Sequence, residues 1–344
     1  MNEKECPLGG AVVVAKFFLK LAGYFALVAV CHVCLAALWL DDEIVSMRDY
    51  WRERFAEHQA VVFLGDSSAF SWDHEQDERS IPEMLDELLP DHGVATLAEV
   101  GKGMDEYAVA LRFMEKEGYR PEFVIVEVNL RAFSETLYFN PALQFAKQKR
   151  ILGQPPWLLN LFFRPFSVFR VFNLQPVSQE RYDSHVVYRD GLGAMPLAES
   201  LERLKQAETT EEQGAIYYQR EYLYELTPEH PEMIAMVECV KIIKRMGATP
   251  IFYFTPAAFT VGEQYAGPQF TARIEQNRAL IRDALEGLGI HILDFARIAD
   301  PSEFLRDPFP TEHVSAAGRL PVAEGLARAI REAGKSAAPT SATS

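Results

Sequence analysis

The run VVFLGDSS (residues 61–68) ends on two hydroxyl residues where a buried strand would simply turn. Gly, Asp and Ser are the residues that turns prefer, so one reading is a strand followed by a tight turn. The other reading is chemical. Open α/β sheets place their ligands at the carboxyl ends of their strands, and Ser67 would be displayed there as a nucleophile. A serine hydroxyl attacks poorly until an imidazole takes its proton, and the oxyanion that forms needs fixed donors. Three further stretches carry residues of those types: EVGKGMDEY (99–107) with Gly101 and Gly103, VEVNLRAF (126–133) with Asn129, and TEHVSAAG (311–318) with His313. Each also has a bland reading, as loop glycines, a turn-capping asparagine and a surface histidine at a helix end.

The elements that must position these residues follow from periodicity. AVVFLG (60–65), ATLAEV (95–100) and EFVIVEV (122–128) read as strands. SIPEMLDELL reads as a helix opened by a Ser80/Glu83 capping box, and a second helix is expected from about Asp105 to Lys116, closed by Gly118. Alternation lapses near residue 134 and resumes at Pro231, with a helical stripe through Met233, Val237, Val240 and Ile243. TPIFYF (249–254), a helix over 268–287, IHILDF (290–295) and a last helix from near Ser315 follow. Strands alternating with helices at this spacing predict a five-stranded parallel sheet flanked by helices, a three-layer α/β fold with a largely helical insertion at about 134–230. The small polar end, residues 334–344, is expected as a disordered tail.

With GDSS, the three blocks resemble in order and spacing the four signature blocks of the SGNH (GDSL-like) hydrolase superfamily. The resemblance spans about 59–133 and 231–333. It implies Ser67 as nucleophile and His313 as its general base, with the Ser67 and Gly103 amides and the Asn129 side chain as the oxyanion hole. Gly101 competes with Gly103 for that role. Asp66 is expected to brace the turn and Ser68 to be structural. The family has Asp three residues before the histidine, and here that position is Pro310. Asp307, Glu312 or a backbone carbonyl could replace it. Successive residues at a helix start point about 100° apart, which disfavours Glu312 and leaves Asp307 slightly ahead.

LAGYFALVAVCHVCLAALWL (21–40) has no formal charge and is long enough to span a bilayer as a helix. Lys16 and Lys20 precede it, and Asp41, Asp42 and Glu43 follow. That asymmetry predicts a signal anchor with a cytoplasmic stub (1–20), a stalk (44–58) and residues 59–333 on the periplasmic, extracytoplasmic side of the inner membrane. The formal net charge of −15 argues against nucleic acid. Cys6, Cys31 and Cys34 fall in the stub and anchor, leaving Cys239 alone in the remainder, so no disulfide or metal cluster is expected and no cofactor is implied. The insertion holds PPWLLNLFFRPFSVFRVFNL (155–174), read either as an apolar segment on the core or as a lid or interfacial helix, and KQKR (147–150), read as a solvated face.

Anchored SGNH proteins of this layout resemble those that handle acyl groups on cell-surface glycans. The resemblance therefore implies a serine esterase or O-acyltransferase acting on acyl esters, acetyl above all, sometimes beside a membrane acyltransferase. The alternatives are a lipid or lysophospholipid esterase and a catalytically silent scaffold that binds a glycan or a partner protein.

Overall fold

The computed structural model describes residues 8–38, 42–56, 60–71, 75–143, 145–153, 180, 183, 184, 186, 187, 195–305 and 309–337. These fall into two compact units, one holding the described residues up to Tyr50 with Arg150–Gly153, the other Trp51–Lys149 and everything described beyond residue 174. The segment 155–174 and Asp307 lie outside the described residues.

The first unit is dominated by helix α1 (Leu8–Leu38). Its window Val14–Cys31 has a mean hydropathy of 1.8 with no part buried, and among the described residues it is the one helix long and apolar enough to cross a membrane. The helix begins well before residue 21 and takes in Lys16 and Lys20, which the charge pattern had placed ahead of the span. Nothing in a run of Ala, Val, Phe and Leu stops the helix at those lysines, whose long aliphatic stems are compatible with an apolar helix. In the same unit, Arg48 donates to the Ile151 carbonyl at 3.0 Å.

The second unit is built on five parallel strands: β1 (Val61–Leu64), β2 (Val94–Thr96), β3 (Phe123–Val128), β4 (Thr249–Phe254) and β5 (Ile292–Asp294). Their order is β2-β1-β3-β4-β5, the flavodoxin-like arrangement, with a topological switch between β1 and β3. β1 and β3 are buried along their whole length, as Val- and Ile-rich strands with helices on both faces must be. On one face Phe63, Ile125 and Tyr253 pack with Met84 and Leu85 of helix α2 (Ile81–Leu88) and with Val322 and Leu326 of helix α3 (Ala316–Ala337). Helix α4 (Met104–Glu117) and helix α5 (Pro231–Arg245) pack on each other, and α5 also meets β4.

The Ser80 capping box is present, with the Ser80 amide donating to Glu83 at 2.7 Å. β2 stops at Thr96, and Val100 is two-thirds exposed in the turn beyond it. The stretch expected as a stalk is helical over Asp42–Ala56, and its last two turns are packed: Trp51 and Phe55 are buried, and Arg52 pairs with Glu117 at 3.0 Å. Helix α3 continues through Gly334 and Lys335 to Ala337, so the first residues of the expected tail are helical. Among the described residues of the insertion are helices α6 (Ala146–Gly153), α7 (Leu197–Gln206) and α8 (Thr210–Tyr222), with a two-stranded pair formed by Val186–Val187 and Met195–Pro196.

Candidate active site

The turn that carries Ser67 starts at Gly65, where a Cβ would lie 2.7 Å from the Phe63 ring and 2.8 Å from Glu127 Oε2, so a side chain there would force these buried neighbours to shift. Asp66 then caps a single 3-10 turn, Ser67–Ala69. Its Oδ1 accepts from the Ser68 amide at 2.7 Å, and its Oδ2 accepts from Asn129 Nδ2 at 2.7 Å. Asn129 sits directly after β3, and its Oδ1 accepts from the Arg131 amide at 3.0 Å. The carboxyl ends of β1 and β3 are thereby tied together at the topological switch, where ligands of open sheets bind.

His313 Nε2 lies 3.1 Å from Ser67 Oγ, although the two residues are 246 apart in sequence. The histidine is buried in an extended segment. Val314 bridges Phe304 in antiparallel fashion, and Leu305 donates to the His313 carbonyl at 2.9 Å. On the other ring nitrogen, Thr311 Oγ1 is 3.3 Å from Nδ1 and Glu312 Oε1 is 3.6 Å away. The helical-phase objection to Glu312 does not apply, because α3 begins only at Ala316. Pro310, at the family's aspartate position, offers its carbonyl to the Tyr218 hydroxyl.

Glu312 is buried and still a strong anion. Burial alone pushes its carboxyl up, but the charges of Arg131 and His313 and its hydrogen bonds outweigh that and hold it at about 2. Arg131 reaches Oε1 at 2.5 Å and Tyr222 donates to Oε2 at 3.1 Å. Neither partner stood out in the sequence. Arg131 lies two residues after Asn129 in a matching block, which is the one local signal that could have flagged it.

The amides expected as oxyanion donors are differently placed. Asn129 spends one of its two Nδ2 hydrogens on Asp66, leaving the second. The Gly103 amide donates to Glu106 Oε2 at 2.9 Å, and the next amide, Met104, to Glu232 Oε2 at 2.5 Å. Gly103 can thus serve an oxyanion only when Glu106 gives it up. A side chain at 103 would push the Glu232 carboxyl away, because a Cβ there would lie 2.8 Å from it. Gly101 adopts a positive φ of 75° and faces Leu143, a turn position that only glycine takes without strain.

A cavity of about 120 Å³ opens beside Ser67, between the Gly101–Gly103 turn and Leu143, with Glu106, Glu232 and Lys149 at its wall. Lys149 pairs with Glu106 at 2.5 Å and Asp105 at 2.6 Å. Burial pulls the Lys149 ammonium down, but the two carboxylates more than offset it and raise it; burial raises Glu106. Lys149 belongs to KQKR, so that stretch holds a half-buried ionic partner.

No family model matches the chain, and no curated protein matches it. Among solved structures it is similar to a carbohydrate acetylesterase family member from Sinorhizobium meliloti, at 14% identity and a TM-score of 0.36, over 80% of this chain and 98% of that one. It is also similar to a GDSL-like lipase from Bacteroides thetaiotaomicron, at 13% identity and a TM-score of 0.37, over 84% and 99%. A catalytic mutant of an acetylxylan esterase from Geobacillus stearothermophilus matches at 11% identity and 0.38, over 79% and 93%. Likeness at this level carries no chemistry, which rests on the contacts described above.

Proposed function

We propose that the chain is an SGNH-type serine esterase or O-acyltransferase that cleaves acyl esters, acetyl esters of a cell-surface glycan in the first place, from an anchored position on the outer side of a membrane. The observation that carries this reading is the 3.1 Å contact between Ser67 Oγ and His313 Nε2 at the strand ends of the topological switch. Ser67 Oγ attacks the ester carbonyl while Nε2 takes its proton. The tetrahedral oxyanion is met by the remaining Asn129 hydrogen and the Ser67 amide, and by Gly103 once Glu106 releases it. His313 returns the proton to the departing alkoxide, leaving an acyl-serine and a free glycan hydroxyl. Water then takes the acyl group in the esterase, and a second hydroxyl takes it in the transferase. The cavity beside Ser67, about 120 Å³, supports a short acyl group over a lipid chain.

The test is release of acetate from an O-acetylated polysaccharide by the detergent-solubilised chain, compared with Ser67→Ala. Release that is equal in both sinks the reading. Binding of the polysaccharide without release, in both, would establish a silent scaffold.

The topology carries its own prediction. A reporter that works only outside the cytoplasm, fused after residue 344, should be active, and a cytoplasm-only reporter should be silent. Lys16 and Lys20 in the amino-terminal half of α1 and the acidic run Asp41, Asp42 and Glu43 after it support this orientation. The reverse pair of signals would place the catalytic domain inside.

A further inference from the structure

Strand β3 reads FVIVEV and is buried throughout, yet its fifth position is a carboxylate. Glu127 is 1% exposed, and parallel register sets it beside Tyr253 of β4. Burying an acid in a core strand is costly unless its oxygens are fully used. Here they are. Oε1 is bonded by the Ser68 hydroxyl at 2.5 Å and the Asp66 amide at 3.3 Å, and Oε2 by the Tyr253 hydroxyl at 2.7 Å. Two of these three partners are the residues flanking Ser67. Asp66 is in turn the residue whose carboxylate holds Asn129. One continuous chain of bonds therefore runs from β4 through Glu127 to both sides of the nucleophile and on to the oxyanion asparagine.

We propose that Glu127 is a positioning residue: by gripping Asp66 and Ser68 from beneath, it fixes the turn that presents Ser67 and the angle at which Asn129 faces the oxyanion. This rests on the reading of Ser67 as nucleophile. It gives the second serine of GDSS its function, as a strut tied to Glu127 instead of a spare nucleophile. It also gives Gly65 a reason, because a side chain there would crowd the Glu127 carboxyl. Burial, with the charge of Asp66 adding to it, pushes the Glu127 carboxyl well above the ordinary range, and the two hydroxyls on it can each donate or accept. A glutamine would keep the shape and can be satisfied by the same partners.

The experiment compares Glu127→Gln with Glu127→Met in the full-length protein in detergent. It reads kcat and KM on 4-nitrophenyl acetate, the rate of fluorophosphonate labelling and the thermal melt. Misplacing a reacting group by about 1 Å costs on the order of 100-fold. Glu127→Met should lose about that much in both kcat and labelling with KM within about twofold, while Glu127→Gln stays within about threefold of wild type. A methionine variant within threefold of wild type overturns the proposal, and so does a glutamine variant as impaired as the methionine one. If Glu127→Met fails to melt cooperatively, Ser68→Ala combined with Tyr253→Phe removes the two hydroxyl contacts instead. About tenfold loss of labelling is then expected, and none would overturn the proposal. Labelling that persists in Ser67→Ala overturns the nucleophile and Glu127's role with it. Labelling lost there but untouched in the Glu127 variants overturns only the latter.

Discussion

Ser67→Ala should lose fluorophosphonate labelling altogether and reduce kcat by roughly 10⁴-fold or more, while Ser68→Ala, which removes one of the two hydroxyl contacts to Glu127, should lose only a severalfold part of either. The size follows from what is removed. Without Oγ there is no acyl-serine, and the reaction falls back on whatever the oxyanion donors and substrate positioning achieve with water. The contrast between two adjacent serines is the sharper part of the test, because a general loss of structure would damage both variants. Only Ser67 has His313 within 3.1 Å. The Ser68 hydroxyl is committed to Glu127 at 2.5 Å, on the buried side of the turn, and cannot swing out to replace its neighbour. Active-site labelling by mass shift, with kcat on an acetyl ester, checks both. Labelling retained in Ser67→Ala would remove the nucleophile from the mechanism.

The residues that could be found from sequence are those whose signal is local. Val61–Leu64 and Phe123–Val128 are short apolar runs bounded by turn residues, and their burial on both faces makes such runs legible. The first three blocks follow a strand and lead into a helical turn or helix, the fourth opens the last helix, and such junctions are visible one element at a time. What was not legible depends on pairs that only the crossovers bring together. Arg131 and Glu312 are 181 residues apart, and nothing in the composition of either stretch announces the pairing. Glu127 resembles a polar interruption in a strand until Tyr253 arrives beside it from β4. Lys149 sits in a basic cluster that reads as solvated, and its partners Asp105 and Glu106 come from another helix. The ends of α1 and α3 were missed for a different reason. Helices continue through lysines and small residues until something stops them, and composition shifts do not mark such ends.

Arg131→Met should be among the most destabilising single changes in the domain, by about 3–5 kcal/mol, because it leaves Glu312 as a buried and uncompensated anion. Adding Glu312→Gln should recover part of that loss, since the double variant no longer buries a lone charge; thermal melts of the four proteins in the cycle measure it. Losses that simply add would mean that the pair is not coupled. The pH dependence has a definite sign. Glu312 is held at about 2, below its ordinary value of 4.5, so its contribution to stability is present above 4.5 and is lost as pH falls toward 2. That acid-side slope should flatten in Glu312→Gln. Turnover decides what the anion does for His313. Its Oε1 stands 3.6 Å from Nδ1, too far for a hydrogen bond but close enough to stabilise the imidazolium, while the Thr311 hydroxyl at 3.3 Å can accept the proton on Nδ1. On this geometry Glu312→Gln should cut kcat by more than about tenfold, at unchanged KM, and Asp307→Asn should cost less. If both asparagine and glutamine variants stay within about threefold of wild type, under roughly 1 kcal/mol, no carboxylate completes the triad. Thr311→Val then becomes the informative change, because Thr311 would be the group that keeps the imidazole facing Ser67.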